Sequence, residues 1–317
     1  MTQQNGRDSW WDRLRAKLSG GSRVDQEGNA ARPRCEEPPG HTGRAGGEAD
    51  RAEARRKLEE WAASCERPAW RPVVADDGAL TGISRFGGAP WVLDGESVPK
   101  CETCGRELQL FVQLELSSLP ADSSTAKREG VLQLFYCRGG TGSDEHDECW
   151  GEGGWEPFST EVKLARVVPE AGLGQVSPDS GGEPPWPAKV IASWERFVDR
   201  PHPEDHAAAG LRTTYDFQAK TVLLEVDAAG VAQGFGIDEL PVEQIAMAVE
   251  GDKLGGWPCW IQGAEYPDCT VCGDTMEVIF QLDSEDHVPY MFGDAGIGHI
   301  SICNSHTDVV AFGWACG

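Results

Sequence analysis

One stretch of this sequence occurs twice. At a constant shift of 168, residues 85–114 and 253–282 align without a gap and agree at ten of thirty positions, where ordinary residue usage gives roughly two. The shared residues of the first copy are Gly87, Gly88, Pro90, Gly95, Pro99, Cys101, Cys104, Gly105, Gln113 and Leu114. Turn formers and cysteines dominate that set, so the repeat preserves a backbone path and a pair of sulfurs rather than a polar catalytic group.

In both copies Pro-x-Cys-x-x-Cys-Gly leads into a run patterned as a strand, with Leu108, Leu110, Val112 and Leu114 in the first. This is the local form of a zinc knuckle. Two thiolates curl around one cation, and Gly105 or Gly273 supplies the left-handed turn that a side chain would obstruct. A tetrahedral site needs two more ligands. At a shift of 166, residues 130–137 match residues 296–303, a second strand pair ending in cysteine, which makes Cys137 and Cys303 the third ligands.

For the fourth ligand of the first site, Cys149 lies 12 residues after Cys137 and is preferred over His146. In the second site Cys316, 13 residues after Cys303, and His306 remain open alternatives. The expected metal ligands are therefore Cys101, Cys104, Cys137 and Cys149, and Cys269, Cys272, Cys303 with His306 or Cys316.

Two competing readings of the cysteines are weaker. Redox-active Cys-x-x-Cys motifs open a helix, whereas these enter β-patterned runs. Cysteines are often simply buried apolar residues, but matched spacing in two places argues against that. Four soft ligands per site leave no open position for water, so the expectation is two structural zinc ions, with no catalytic or cofactor-binding residue.

The rest of the chain divides around the repeats. The expected organisation is an N-terminal helix and disordered linker over 1–66, a first repeat over 67–175, a connector with strand and helix over 176–251, and a second repeat over 252–317. Residues 8–18 form an amphipathic stretch, residues 19–47 read as a flexible extension, and residues 51–63 carry helix formers with a Glu53 to Lys57 pair. Residues 188–198 suggest a strand or strand-to-helix segment, and residues 240–253 look helical. The turn around His202, Glu204, Asp205 and His206 reads as a solvated helix entry rather than a metal site, and residues 293–298 as a tight hairpin turn.

The charge excess is not spread evenly. Residues 1–66 hold 12 basic and 12 acidic side chains, whereas residues 67–317 hold 16 and 40. That balance excludes sequence-independent nucleic-acid binding, which needs clustered Lys and Arg. It permits electrostatic steering toward a basic protein partner, although a charged surface that simply keeps the protein in solution is the more economical reading of charge alone. No apolar run approaches the roughly 18 to 20 residues of a membrane span, and the N-terminus lacks the order of a secretory signal. The expectation is a cytoplasmic protein with no membrane association. No His-Glu-x-x-His, Gly-Lys-Ser/Thr phosphate loop or Gly-x-Ser-x-Gly elbow is present.

Residues 252–262, 267–276, 280–282 and 293–303, together with His306, resemble the YwqG-like family of bacterial proteins and the related amino-terminal region of the eukaryotic programmed cell death protein 2 group. The resemblance extends over residues 80–317 and leaves out the first 66. It implies an α+β fold built on an internally duplicated, mainly antiparallel sheet, without an enzymatic activity. It also implies chaperone-like binding of a basic protein in the eukaryotic relatives and toxin-immunity roles in the bacterial ones. Residues and resemblance together predict a non-catalytic, zinc-stabilised, acidic protein-binding module. The alternatives are a toxin-neutralising immunity protein and a zinc-dependent hydrolase.

Overall fold

A computed structural model of the chain describes residues 48–76, 82–123, 128–139, 149, 153–175, 186–216, 221–226, 233–236 and 245–317. The expected helix at 8–18 and linker at 19–47 lie outside these residues. The expected helix at 51–63 is α1 (Glu48–Ser64), stitched on its exposed side by Glu53 to Arg56 and Lys57 and by Arg55 to Glu59. Its buried side presents Leu58 and Trp61 to Leu211 and Ile245. The Trp61 indole donates to the Ala209 carbonyl at 2.7 Å.

The strands, in chain order, are β1 (Arg67–Asp76), β2 (Arg85–Phe86), β3 (Trp91–Leu93), β4 (Gln109–Glu115), β5 (Val131–Tyr136), β6 (Lys163–Val168), β7 (Leu173–Gln175) and β8 (Lys189–Asp199). They continue with β9 (Leu211–Asp216), β10 (Thr221–Val226), β11 (Gln233–Gly236), β12 (Lys253–Gly255), β13 (Glu277–Asp283), β14 (Ile297–Ile302) and β15 (Val310–Ala315). Ten of them form one nearly closed antiparallel sheet in the order β15-β14-β13-β12-β1-β8-β2-β4-β5-β6. β9 to β11 make a separate three-stranded sheet, and β3 pairs with β7.

This architecture corrects the α+β expectation. With 37% strand against 10% helix the fold is mostly β. Part of the difference lies at 240–253, where the described residues 247–252 are not helical. Their amides are taken by carboxylates instead: Val249 by Asp199, Gly251 by Asp283 and Asp252 by Asp286. A helix would need those amides for its own carbonyls. The segment expected at 188–198 is strand from Lys189 onward, with no helix.

The duplication maps onto the sheet as two five-stranded halves, and their leading strands are exchanged. β1 precedes the duplicated segment at 85–114 but pairs with β12 of the second copy, while β8 precedes the segment at 253–282 and pairs with β2 of the first. The register is equivalent on both sides, with Trp70 opposite Leu254 and Lys189 opposite Phe86. β1 and β8 pair antiparallel along ten positions, Arg67 to Asp199 through Asp76 to Lys189. A pseudo-twofold axis therefore passes between them.

Several shared residues acquire their reason here. Gln113 and Gln281 each accept from the amide of the loop that crosses them, Trp91 in one half and Cys259 in the other. Each also donates to the chain ahead of its half, at Ile83 and Gly251. Gly88 and Gly256 have positive φ angles, and a Cβ on either would come within 2.5 to 2.8 Å of a Cβ on the exchanged strand, that of Ala188 or Ala69. The glycine is thus required twice over, by backbone angle and by the close approach of the exchanged strand.

Aromatic residues of both halves share the interior. Phe111 lies 5.0 Å from Tyr290 and Tyr136 lies 6.0 Å from Phe312. The two end strands approach each other under residues 153–158, where the Phe312 amide donates to the Pro157 carbonyl and the Trp314 indole to the Tyr136 hydroxyl, both at 2.9 Å. Buried Lys163 ties the same loop down through the Gly154 and Glu156 carbonyls.

At the end of β8, across β1 from β12, the Asp199 carboxylate takes the Lys253 ammonium at 2.7 Å and the amides of Val249, Arg200 and Trp257. Both side chains are essentially sealed from water. Lys253→Met should therefore strand a buried carboxylate and destabilise the fold by about 3–5 kcal/mol. Arg196→Ala, which breaks an exposed pair with Asp122, should cost about 0–1 kcal/mol. Denaturant titration of both variants checks this, and equal losses would contradict it.

Candidate metal centres

Each knuckle is built by the same backbone hydrogen bonds. In the first, the Gly105 amide returns to the Cys101 carbonyl and the Cys101 amide reaches Arg106. In the second, the Gly273 amide returns to Cys269 and the Cys269 amide reaches Asp274. A single bridge, Lys100 with Glu107 or Asp268 with Thr275, closes each loop. The turn points both sulfurs inward before the chain enters β4 or β13, whose neighbour β5 or β14 ends at the third cysteine.

Cys101, Cys104, Cys137 and Cys149 converge with their sulfurs all within 4.8 Å of one another. The Cys101 sulfur is 3.3 Å from Cys149, and Cys104 is 3.7 Å from Cys137. All four are free thiols, and three are buried. Cys269, Cys272, Cys303 and His306 form the second group, equally tight. His306 Nδ1 lies 3.8 Å from the Cys269 sulfur and 3.7 Å from that of Cys303. Each group could hold one metal ion.

Thus every expected ligand of the first group is in place, and His306 rather than Cys316 completes the second. His146 lies outside the described residues. Cys316 follows β15, whereas His306 sits in the turn before it, so six strand residues separate Cys316 from the knuckle, about 20 Å of extended chain. Its carbonyl accepts from Gln262, and its sulfur lies against Gly293. Cys149 falls within the long stretch between β5 and β6, while residues 303–309 make a short turn that carries His306 to the second group.

Main-chain amides prepare the sulfurs for negative charge. Val271 donates to Cys269, and Ser305 and His306 donate to Cys303. Burial opposes ionisation of Cys104 and Cys269, but backbone amides and neighbouring thiols outweigh it and bring the two down to about 7 and about 6. Burial pushes Cys137 up to about 11 and raises Cys149 as well. Thiolates held this closely repel one another, so complete ionisation of either set calls for a cation between them.

A buried arginine from the first half braces the second centre. Arg128 donates to the Cys303 carbonyl at 3.1 Å and to the Asn304 side chain at 2.7 Å, with Glu277 at 3.6 Å. Nothing local in the sequence announces this residue, because its partners lie about 175 positions away. A third convergence, Asp252, Asp286 and His287, was also invisible. Asp252 is spent on the Asp283 amide and on His287 Nδ1, and Asp286 receives the Asp252 amide, so this group acts as a hydrogen-bonded corner of the fold.

The turn at 202–206 is a further departure from expectation. It is a short 3-10 turn over Pro203–Asp205, and His202, Asp205 and His206 are buried rather than solvated. Burial lowers His202 to about 3 and His206 to about 4, so both imidazoles are neutral at physiological pH. The Asp205 carboxylate receives the Trp260 indole and the Tyr266 hydroxyl. Cys259, the counterpart of Trp91, is buried away from both metal groups.

The model of one protein family, described as a domain of unknown function (DUF1963), matches residues 84–316. The chain belongs to that family. The DUF1963 match takes in both knuckles and the whole pseudo-symmetric sheet apart from β1. Among relatives, the uncharacterised protein YpfL of Salmonella typhimurium strain LT2 is 38% identical over 53 residues, which is 16% of this chain and 12% of YpfL. No helix among the described residues is long and apolar enough to cross a membrane.

In this DUF1963 chain His306→Ala should lower bound metal by about one equivalent, and Cys316→Ser should leave it unchanged, because a closed tetrahedral site needs its fourth ligand. Elemental analysis of purified variants decides between them. Metal loss in the cysteine variant alone would reverse the ligand assignment.

Proposed function

We propose that this chain is a non-catalytic, zinc-stabilised protein-binding module, chaperone-like toward a basic partner. The observation that carries the reading is the pair of closed four-ligand groups, Cys₄ in the first half and Cys₃His in the second. Both are ligand sets that tetrahedral zinc favours in structural sites. A Zn–S distance of about 2.3 Å puts neighbouring sulfurs about 3.8 Å apart in a tetrahedron, close to the 3.6 and 3.7 Å of the Cys272–Cys303 and Cys104–Cys137 pairs. With four protein ligands at each ion, no position is left for a reacting water.

The staples also have a mechanical purpose. The cysteines of the first knuckle join the main core, but the second knuckle is a loop with few apolar neighbours, its small cluster made up of Cys269, Cys303, Met276 and Ala311. Metal coordination supplies the ordering that so little burial cannot. The acid excess of residues 67–317, 40 against 16, supports a basic partner. The resemblance to the YwqG-like family and to the programmed cell death protein 2 group supports the chaperone-like character.

Elemental analysis should find about two zinc ions per chain, as two closed tetrahedral sites require. The double variant Cys101→Ser with Cys104→Ser should lose one ion and unfold the first half at a temperature the wild-type withstands. A chelator-treated protein that keeps the native fold and midpoint would sink the structural role. For function, affinity capture from the native cell should return a basic protein whose retention falls on chelation. Zinc-dependent turnover of a substrate, with no retained partner, would overturn the module.

A further inference from the structure

Beside the second knuckle the surface opens into a pocket of about 610 Å³, within the range of natural ligand sites of roughly 300–1,000 Å³. It lies over the Gly255–Gly256 turn, between the start of β1 and the segment that leaves the knuckle. Trp70, Trp257, Tyr266 and Met276 form its walls. Asp122, Asp205 and Glu277 contribute carboxylates and Arg67 the one guanidinium among the lining residues.

The pseudo-twofold axis shows what is unusual about this place. Arg67-Pro68-Ala69 and Trp186-Pro187-Ala188 occupy equivalent positions, each carbonyl of Pro68 or Pro187 and each Cβ of Ala69 or Ala188 lying over the glycine pair of the half it covers. In the first half Trp186 packs on Phe111 at 5.2 Å. In the second its counterpart is Arg67, which is exposed and lays its guanidinium 3.3 Å from the centre of the Trp257 ring. The chain thus already places a cation of its own on the aromatic wall of the pocket.

The surrounding charges favour that kind of occupant. Asp122 meets Arg196 only in an exposed pair, and Arg128 stands 3.6 Å from Glu277 while spending its hydrogen bonds on Cys303 and Asn304. Asp205 is fixed with its oxygens on Trp260 and Tyr266. An indole face flanked by carboxylates is a cation site, and an entering guanidinium or ammonium would find the ring already desolvated on one side.

We propose that this pocket receives an arginine or lysine side chain from a basic protein segment, with the incoming cation taking the place of Arg67 on Trp257. The assignment rests on the binding-module reading and gives it an address. It also joins binding to the metal, because Met276 lines the pocket and packs with Cys269 and Cys303 of the second centre.

The test uses the full-length, metal-loaded chain and a fluorescent nine-residue oligoarginine peptide, with oligoglutamate as the control. Arg67→Ala should tighten oligoarginine binding about two- to five-fold by uncovering the ring, the size of one exposed cation–π contact. Asp122→Asn with Glu277→Gln should weaken it, and oligoglutamate should not bind. Both sets of changes lie on exposed or half-exposed side chains, so the fold is retained and circular dichroism confirms it. Weaker binding by Arg67→Ala, or preference for oligoglutamate, would make the pocket an anion site and overturn the proposal. Equal binding by all variants would also overturn it, placing the basic segment elsewhere while the module reading stands. Loss of oligoarginine binding by wild-type and every variant would remove the pocket, and partner capture would then judge the module separately.

Discussion

The pairing of β1 with β8 is the constraint on which the remainder of the structure depends. Among the described residues it is the strand pairing that joins the two halves into one sheet, and each of these strands is also the lead-in that its own repeat has surrendered to the other. A half without its exchanged strand would leave Phe86 or Leu254 beside an open edge and expose the glycine turn that Ala188 or Ala69 covers. Neither repeat is therefore complete alone, although the text of the sequence presents them as separate copies.

Exchange also explains which positions could not drift. Gln113 and Gln281 lie at the same depth of their half and hold a crossing loop to the sheet by its amide, so a change of side-chain length would leave buried backbone groups without partners. The other position that touches the loop's backbone differs between the halves, Gln133 at the Trp91 carbonyl and His299 at Cys259. Trp91 and Cys259 meet the same glutamine through the same amide, and in the first half Gln133 stands where the second has His299. Gln133 carries a network on to Arg166 and Glu96, while His299 instead lies against Trp260 at 4.5 Å. The polar layer over the sheet was kept in both halves, and its chemistry was not.

This division sets what could be read in advance. The knuckles, the strands that follow them and the third cysteines are local patterns with fixed spacing, and they were legible. The helix at 51–63 was legible for the same reason, since its ion pairs repeat along one face. The stretch at 240–253 has equally good helix formers, but Asp199, Asp283 and Asp286 capture the amides of its described part. Those partners lie some 30 to 50 positions away in the chain, beyond any local pattern. The strand exchange and Arg128 are non-local in the same way. Cys316 misled because the shift that aligns the copies was carried past β14, where the second half replaces a long connection with a short turn.

That last difference leaves the two metal centres unequal. In the first, Cys101, Cys137 and Cys149 are buried, with Cys101 also donating to the Glu161 carbonyl. In the second, Cys272 is exposed, His306 is half-buried and Val271 at the tip of the knuckle stands 63% exposed. A chelator or a competing ligand would reach a bound metal through its exposed donors, and the second group offers the more exposed ones. The first group is thus the more enclosed of the two, whereas the second, braced across the halves by Arg128 and adjoining the pocket through Met276, is the more accessible.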